Sequence, residues 1–239
     1  MELFYLETIS SDMNEVKFSL DESRHIIKVL RKKNSDSIHI TNGKGLEWVG
    51  EITDSNTRKV TAKKISNHVH KNNQANIHIS IAPPKSNDRM DWFLEKATEI
   101  GISEITPIIC DNSERKVIKP LRMKKILVSA IKQSNQFHLP KLNPIITFKQ
   151  FVEYKYSDIK MIAHCRRGIK KGLHQISNIQ SGLIILIGPE GDFSKREIEI
   201  AKENYYTEIS LSGQRLRTET AGIVACNSIA TLRKAFKRY

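Results

Sequence analysis

The spacing of apolar positions changes near residue 77. Up to about residue 70, apolar and polar residues alternate in short runs: Ser37-Ile38-His39-Ile40-Thr41, then Leu46 to Thr53, then Lys59-Val60-Thr61-Ala62. Alternation of this kind turns one side of an extended strand to a core and the other to water. The first two runs are separated by Asn42-Gly43-Lys44-Gly45. Asn-Gly accepts positive φ and signals a hairpin. One short helix is expected at Glu22 to Leu30. Several short strands with one helix predict a small β-barrel over residues 1–70. The polar stretch 66–76, SNHVHKNNQAN, reads as a linker, with its clearest part at 71–76.

From Ile77 to residue 239, apolar runs suited to buried strands occur at Ile77–Ala82, Ile105–Cys110, Ile159–Cys165, Leu183–Ile187 and Glu208–Leu211. Helical spacing separates most of them. Met90, Phe93, Leu94, Ala97 and Ile100 share one helix face that Gly101 closes. Leu121 to Asn135 forms a second helix, with Ile126, Ala130 and Ile131 on its apolar side. Ser194 to about Asn204 is a third, opened by the capping box Ser194-x-x-Glu197. A last helix runs from Ala221 to about Phe236. Strands alternating with helices predict a mostly parallel α/β sheet.

Composition narrows the function. The 239 residues carry 39 Lys plus Arg against 26 Asp plus Glu, a net charge of +13. That excess in a globular chain favours a polyanionic partner, nucleic acid above all. No apolar run approaches the roughly 18 residues of a membrane span. The N-terminus lacks the charged-then-apolar order of a secretion signal, so a cytoplasmic protein is expected. Cys110, Cys165 and Cys226 are too few and too far apart for a disulfide framework or a zinc site, and each is expected as a small buried hydrophobe. His68 and His70 lack a nearby third ligand, and no metal is expected.

The chemistry is expected at strand ends, since ligands of parallel α/β sheets sit beyond the carboxyl ends of the strands. Ile184–Ile187 runs into Gly188-Pro189-Glu190-Gly191-Asp192 and then a helix. Ile209-Ser210-Leu211 runs into Ser212-Gly213-Gln214-Arg215-Leu216-Arg217, and Thr218-Glu219-Thr220 opens the last helix. Backbone groups at two such loops can form one pocket. No phosphate-loop lysine follows, so the ligand need not be a nucleoside triphosphate.

These residues carry a resemblance. IGPEGDFSKRE, followed some twenty residues later by LRTETAGIVAC, is similar to the 16S rRNA uridine-N3 methyltransferases of the SPOUT superfamily. So are 25-HIIKVLR-31, 84-PKSNDRMDWFLEKATEIGISEITP-107, 113-SERK-116 and 133-QSNQFHLPKL-142. The resemblance is ordered and nearly full-length. It implies an N-terminal PUA-like, RNA-binding β-barrel and a C-terminal α/β domain threaded into a trefoil knot. It further implies S-adenosylmethionine as cofactor, a homodimer, and 16S rRNA, in the small ribosomal subunit, as substrate. The chain departs from the common pattern at Asp192, where GPEGG is frequent, at Ser212, Gln214 and Arg215, and at Gln136.

On that reading the cofactor contacts are Ile187, Gly188, Pro189, Glu190, Gly191, Leu211, Ser212, Gly213, Leu216, Arg217 and Thr218. Methylation at uracil N3 needs the ring proton removed or the anion favoured. Arg217 is the candidate cation for that anion, and Glu219 and Glu190 are the candidate bases, with a route that uses no base left open. The RNA-contact candidates are Arg31, Lys32, Lys33, Lys85, Arg89, Arg115, Lys116, Arg166, Arg167, Lys170 and Lys171. Two other readings remain: a SPOUT ribose 2′-O-methyltransferase, whose usual Asn-Glu-x-x-Gly motif is not found here, and a non-catalytic RNA-binding assembly protein, which the intact GPEG and LRTETA segments oppose.

Overall fold

The structure, a computed structural model, describes residues 2–72, 76–176 and 181–236. The chain divides into two compact units. One comprises Met1–Asn73 with Ile131–Leu139, the other Gln74–Ala130 with Pro140–Tyr239.

The first unit contains β1 (Leu3–Tyr5), β2 (Glu15–Lys17), α1 (Leu20–Arg24), β3 (Ser37–Thr41), β4 (Leu46–Asp54) and β5 (Thr61–Val69), in the strand order β1-β3-β4-β5-β2. Only β1 and β3 run parallel; the other pairs are antiparallel. Phe4 of β1 and Val16 of β2, at opposite ends of that path, share one buried cluster with Ile38, Ile40, Trp48 and Ala62, so the sheet wraps round a single core. Gly43 and Gly45 of the hairpin loop adopt φ of 73° and 95°, the left-handed region that glycine enters at no steric cost. The short helix starts two residues earlier than expected, at Leu20 behind the Ser19 cap, and from His25 to Val29 it widens into a π-turn.

The structure corrects two boundaries. Ser66 to Val69 are strand, not linker: they pair with Leu46 to Val49 and extend β5. Their polar side chains are exposed, so no apolar alternation marked them. Ile131–Leu139 packs with the first unit rather than the second. The Gly45 N–H donates to the Phe137 carbonyl and the Leu139 N–H to the Gly43 carbonyl, each at 2.8 Å. The His70 ring stacks on Phe137 with centroids 3.9 Å apart. A helical period carries no information about such long-range pairing.

The second unit contains β6 (Ile77–Ile81), α2 (Asn87–Ile100), β7 (Glu104–Ile109), α3 (Pro120–Gln133, its last turn in the first unit), β8 (Lys141–Leu142), β9 (Ile146–Thr147), α4 (Phe148–Glu153), β10 (Ile159–Ala163), β11 (Lys171–Gly172), β12 (Leu183–Ile187), α5 (Lys195–Glu203), β13 (Thr207–Ser210) and α6 (Thr218–Phe236). The sheet order is β11-β13-β10-β12-β6-β7-β8, with β9 also on β7, and its pairs are parallel. Every residue of β6 and β12 is buried; β12 therefore reads as an unbroken apolar run, while β6 also buries His78, whose ring bonds Thr106 Oγ1 at 2.7 Å, and Ser80. Ile184 and Leu186 face a cluster with Phe148 and Phe151 of α4 and Ile198 and Ala201 of α5. On the other face, α6 packs on β6, β12 and α2.

Gly101 closes α2 with φ 94°, and Ser194 and Glu197 form the expected capping box on α5. On α3, Met123, Leu127, Ala130 and Ile131 are buried while Ile126 is only half-buried. Cys110 and Cys226 are buried, and burial raises both thiols well above their ordinary range. Cys165 departs from expectation: it is exposed, because β10 ends at Ala163 and the chain turns out of the sheet. Among the described residues no group of three or more His, Cys, Asp or Glu side chains is arranged to hold a metal ion, and no helix is long and apolar enough to cross a membrane.

Candidate functional site

Three strand-end segments of the second unit meet at a cavity of about 730 Å³. They follow β10 (Ala163 to Lys170), β12 (Ile187 to Asp192) and β13 (Ile209 to Arg217), and Arg89 of α2 with Thr218 and Ala221 of α6 complete the lining. The three strands are neighbours or next neighbours in the sheet, so their carboxyl ends emerge side by side. The volume lies within the range of small-molecule sites, and the walls combine aliphatic side chains with polar and charged ones.

Hydrogen bonds join the loops. Thr218 Oγ1 donates to the Gly188 carbonyl at 3.0 Å in a buried setting, so the start of α6 is tied to the end of β12. The Arg215 guanidinium donates to the Glu190 carbonyl at 3.0 Å. The Lys85 N–H donates to Glu190 Oε1 at 3.0 Å, which fixes the Glu190 side chain. Gly188 is tightly enclosed: a Cβ there would lie 3.1 Å from the ring of Phe193, which is fully buried, so the ring would have to shift. At Gly191 a Cβ would lie 3.0 Å from Asn112. Gly188 thus packs against the residue that ends its own loop, and Gly191 against Asn112 in the segment after β7.

The loop after β10 is held from within. Lys170 Nζ donates to the carbonyls of His164 and Arg166, at 2.6 and 2.7 Å. His164 is buried; its Nε2 lies 3.0 Å from Glu208 Oε1, and its Nδ1 has no partner among the described residues. Burial lowers the pKa of His164, an effect that the hydrogen bond to Glu208 opposes.

A family model described as an RNA methyltransferase domain matches residues 70–230, and one described as an RNA methyltransferase PUA domain matches residues 20–65. The ribosomal RNA small subunit methyltransferase E of Buchnera aphidicola (strain APS) is 32% identical over 95% of this chain and 92% of its own. The chain belongs to the ribosomal RNA small subunit methyltransferase E family. The Bacillus subtilis member is 27% identical, with 96% of each chain covered. A solved structure described as a probable rRNA-methyltransferase from Porphyromonas gingivalis superposes with TM-score 0.92 at 33% identity, covering 99% of this chain and 100% of that one. The small subunit methyltransferase E of Neisseria gonorrhoeae, solved bound to S-adenosyl methionine, superposes with TM-score 0.85 at 29% identity, covering 97% and 98%. The fold is thus that of an α/β methyltransferase with an N-terminal PUA-like domain.

In this family member, ten of the eleven residues expected around a cofactor line the cavity: Ile187, Gly188, Pro189, Glu190, Leu211, Ser212, Gly213, Leu216, Arg217 and Thr218. Gly191 is not among the lining residues. Arg217 is exposed, and among the described residues its guanidinium makes no hydrogen bond or ion pair. Glu190 lines the cavity and Glu219 does not. Glu219 is buried, its Oε1 lies 3.7 Å from Arg89 Nε, and its Oε2 is without a hydrogen bond among the described residues.

The expected RNA contacts divide by how their charges are used. Arg89, Arg166, Arg167 and Lys170 line the cavity. Lys170 is occupied by backbone carbonyls, and Arg166 Nε donates to the Phe193 carbonyl at 3.0 Å. Arg115 donates to Asn87 Oδ1 and the Pro84 carbonyl, Lys85 pairs with Glu114, and Lys32 donates to the Ser37 carbonyl and pairs with Glu2. Arg31, Lys33, Lys116, Arg167 and Lys171 are exposed, with no side-chain hydrogen bond or ion pair among the described residues.

The sequence reading missed the inner wall after β10, namely Ala163, His164 and Cys165, and also Asp192, Ile209, Ser210 and Ala221. His164-Cys165 stood in the sequence at the end of an apolar run, the same signal that revealed the other two loops. Cys165 was expected as a buried hydrophobe because it closes that run, but the strand ends at Ala163 and Cys165 is exposed.

Proposed function

We propose that this chain transfers a methyl group from S-adenosylmethionine to N3 of a uridine in 16S rRNA. The observation that carries the reading is the cavity where the β12 and β13 loops meet, with the unengaged Arg217 guanidinium on its lining. Ile187, Leu211 and Leu216 offer apolar walls, and Glu190, Ser212, Gln214 and Arg217 add polar and charged groups to the lining. That mixture suits a ligand with both aromatic and zwitterionic parts. When bound, S-adenosylmethionine supplies an electrophilic methyl on a sulfonium.

The chain's own residues account for the rest. Losing the N3 proton leaves charge on the uracil carbonyl oxygens, and Arg217 is the cation assigned to them. Its planar fork can reach two oxygens at once. Of the two carboxylates, Glu190 is assigned the proton. It faces the cavity, its Oε1 is held by the Lys85 N–H, and its Oε2 makes no hydrogen bond among the described residues. Glu219 is assigned instead to holding Arg89 at the cavity lining through their 3.7 Å pair. Arg31, Lys33, Lys116, Arg167 and Lys171 are assigned to RNA phosphates, since their charges are exposed and uncommitted.

The same reading includes a homodimer, a C-terminal segment threaded as a trefoil knot, and action in the cytoplasm on rRNA within the small subunit. The family relationship supports these. The strand order, in which β12 lies between β10 and β6, is compatible with a threaded chain. The test is calorimetric titration with S-adenosylmethionine, followed by transfer of its labelled methyl to purified small-subunit RNA or particles. Cofactor binding with label recovered in N3-methyluridine is expected. Absence of binding, or label in a ribose, would overturn the reading.

A further inference from the structure

Asp192 is a non-glycine residue in the left-handed region, with φ 62°. Aspartate is among the few side chains that tolerate this conformation, because its short carboxylate can bond locally. Here the carboxylate also bonds at a distance. Oδ1 accepts the Phe193 N–H at 2.9 Å, within its own loop. Oδ2 accepts the Cys165 N–H at 2.9 Å, in the loop after β10. A second link runs the opposite way, from Arg166 Nε to the Phe193 carbonyl at 3.0 Å. The Asp192 carbonyl accepts Asn112 Nδ2 at 2.9 Å, and the Asp192 N–H donates to the Pro189 carbonyl at 2.9 Å. Phe193 is an anchor: its ring is fully buried, 5.5 Å from Phe148 between centroids and in packing contact with Gly188.

We infer that Asp192 is a positioning residue that latches the loop after β10 to the Gly188–Asp192 loop, and so sets the shape of the wall against which the cofactor binds. The inference rests on the proposed function. Both latched loops line the cavity, and one of them carries Arg166 and Arg167. The task needs two acceptor atoms on one short side chain at positive φ. Glycine satisfies the backbone but offers no acceptor; asparagine keeps the conformation and one acceptor oxygen. The residue therefore acts through the loops it joins.

The experiment compares the parent, Asp192→Gly and Asp192→Asn as full-length proteins. It measures melting without ligand, S-adenosylmethionine affinity by calorimetry, and single-turnover methylation of small-subunit RNA at saturating cofactor. Asp192→Gly is expected to bind S-adenosylmethionine roughly tenfold more weakly, about the factor carried by a hydrogen bond to an ionised group. Its single-turnover rate at saturation should stay within about threefold of the parent, a difference of only ~0.65 kcal/mol. Asp192→Asn should recover part of the affinity. An Asp192→Gly affinity within about twofold of the parent, or an Asp192→Asn variant no better than Asp192→Gly, overturns the inference. If the glycine variant does not fold, an Asp192→Asn affinity equal to the parent overturns it. A parent that fails to bind S-adenosylmethionine defeats the functional reading and this inference together, whereas a binding parent with indifferent variants defeats the inference alone.

Discussion

Replacing Gly222 by alanine tests how closely α6 must approach α2 to set the cavity lining. A Cβ at Gly222 would lie 2.6 Å from Phe93 Cε2, 2.8 Å from Cδ2 and 3.4 Å from Ile81 Cδ1. The favourable separation for two carbons begins at about 3.5 Å, so the new methyl intrudes by roughly 1 Å. Phe93 and Ile81 are fully buried and have no solvent to retreat into. Two effects oppose each other. Alanine in a helix interior gains about 1 kcal/mol over glycine. Overpacking a filled core costs typically about 1–3 kcal/mol, and a 1 Å intrusion onto a rigid ring belongs at the upper end. The net expectation is a loss of about 1–2 kcal/mol, or about 2–8 °C in melting temperature at about 2–4 °C per kcal/mol. Phe93→Leu removes the ring edge, and in that background Gly222→Ala should become neutral or stabilising. Urea titration of the four proteins gives the coupling directly. A Gly222→Ala protein as stable as the parent, with no change of sign in the leucine background, would refute the packing argument. Arg89 on α2 and Glu219 on α6 lie beside this contact, so the variant should also lengthen their 3.7 Å pair and weaken RNA methylation.

Arg217→Ala should lower the single-turnover rate by roughly 10²–10³ at saturating RNA and cofactor, as for a lost oxyanion donor; a rate within about threefold of the parent rules out the catalytic role. Thr218→Val leaves the buried Gly188 carbonyl without its 3.0 Å donor and should cost about 1–3 kcal/mol in a urea titration, while Thr218→Ser should restore most of it. At Glu47, burial would raise the carboxyl, but hydrogen bonds and charge from His70 and His39 outweigh it and hold it below its ordinary value of 4.5. That contribution to stability is present above pH 4.5 and is lost as pH falls through the lowered value; Glu47→Gln should flatten the loss of stability in this acid range, and an unchanged acid slope would count against the pairing.

Much of the second unit was legible because its central strands β6, β7 and β12 are buried on both faces and its helices carry their own stop signals. Leu183–Ile187 matched the observed strand residue for residue, and Gly101 and Ser194 ended and opened helices as their chemistry requires. The two glycine-bearing loops were found for the same reason: each breaks an apolar run with residues that cannot continue it. What escaped depends on contacts between distant parts of the chain. Ser66 to Val69 are strand only because β4 is there to pair with them. Lys170 and Arg115 looked like free cations until the structure showed their charges bound to nearby carbonyls and amides. Asp192 looked like a mere departure from a common motif. Its two acceptors take on meaning only once Cys165 is brought within 2.9 Å of it.

The central claim is that the cavity serves methylation of a uridine base in small-subunit rRNA. The most direct test is mass-spectrometric nucleoside analysis of 16S rRNA from cells with the gene for this chain, without it, and complemented with either the parent or Arg217→Ala. The account predicts that N3-methyluridine disappears without the gene, returns with the parent and does not return with Arg217→Ala. N3-methyluridine unchanged in its absence, or loss of a ribose-methylated nucleoside instead, would contradict it.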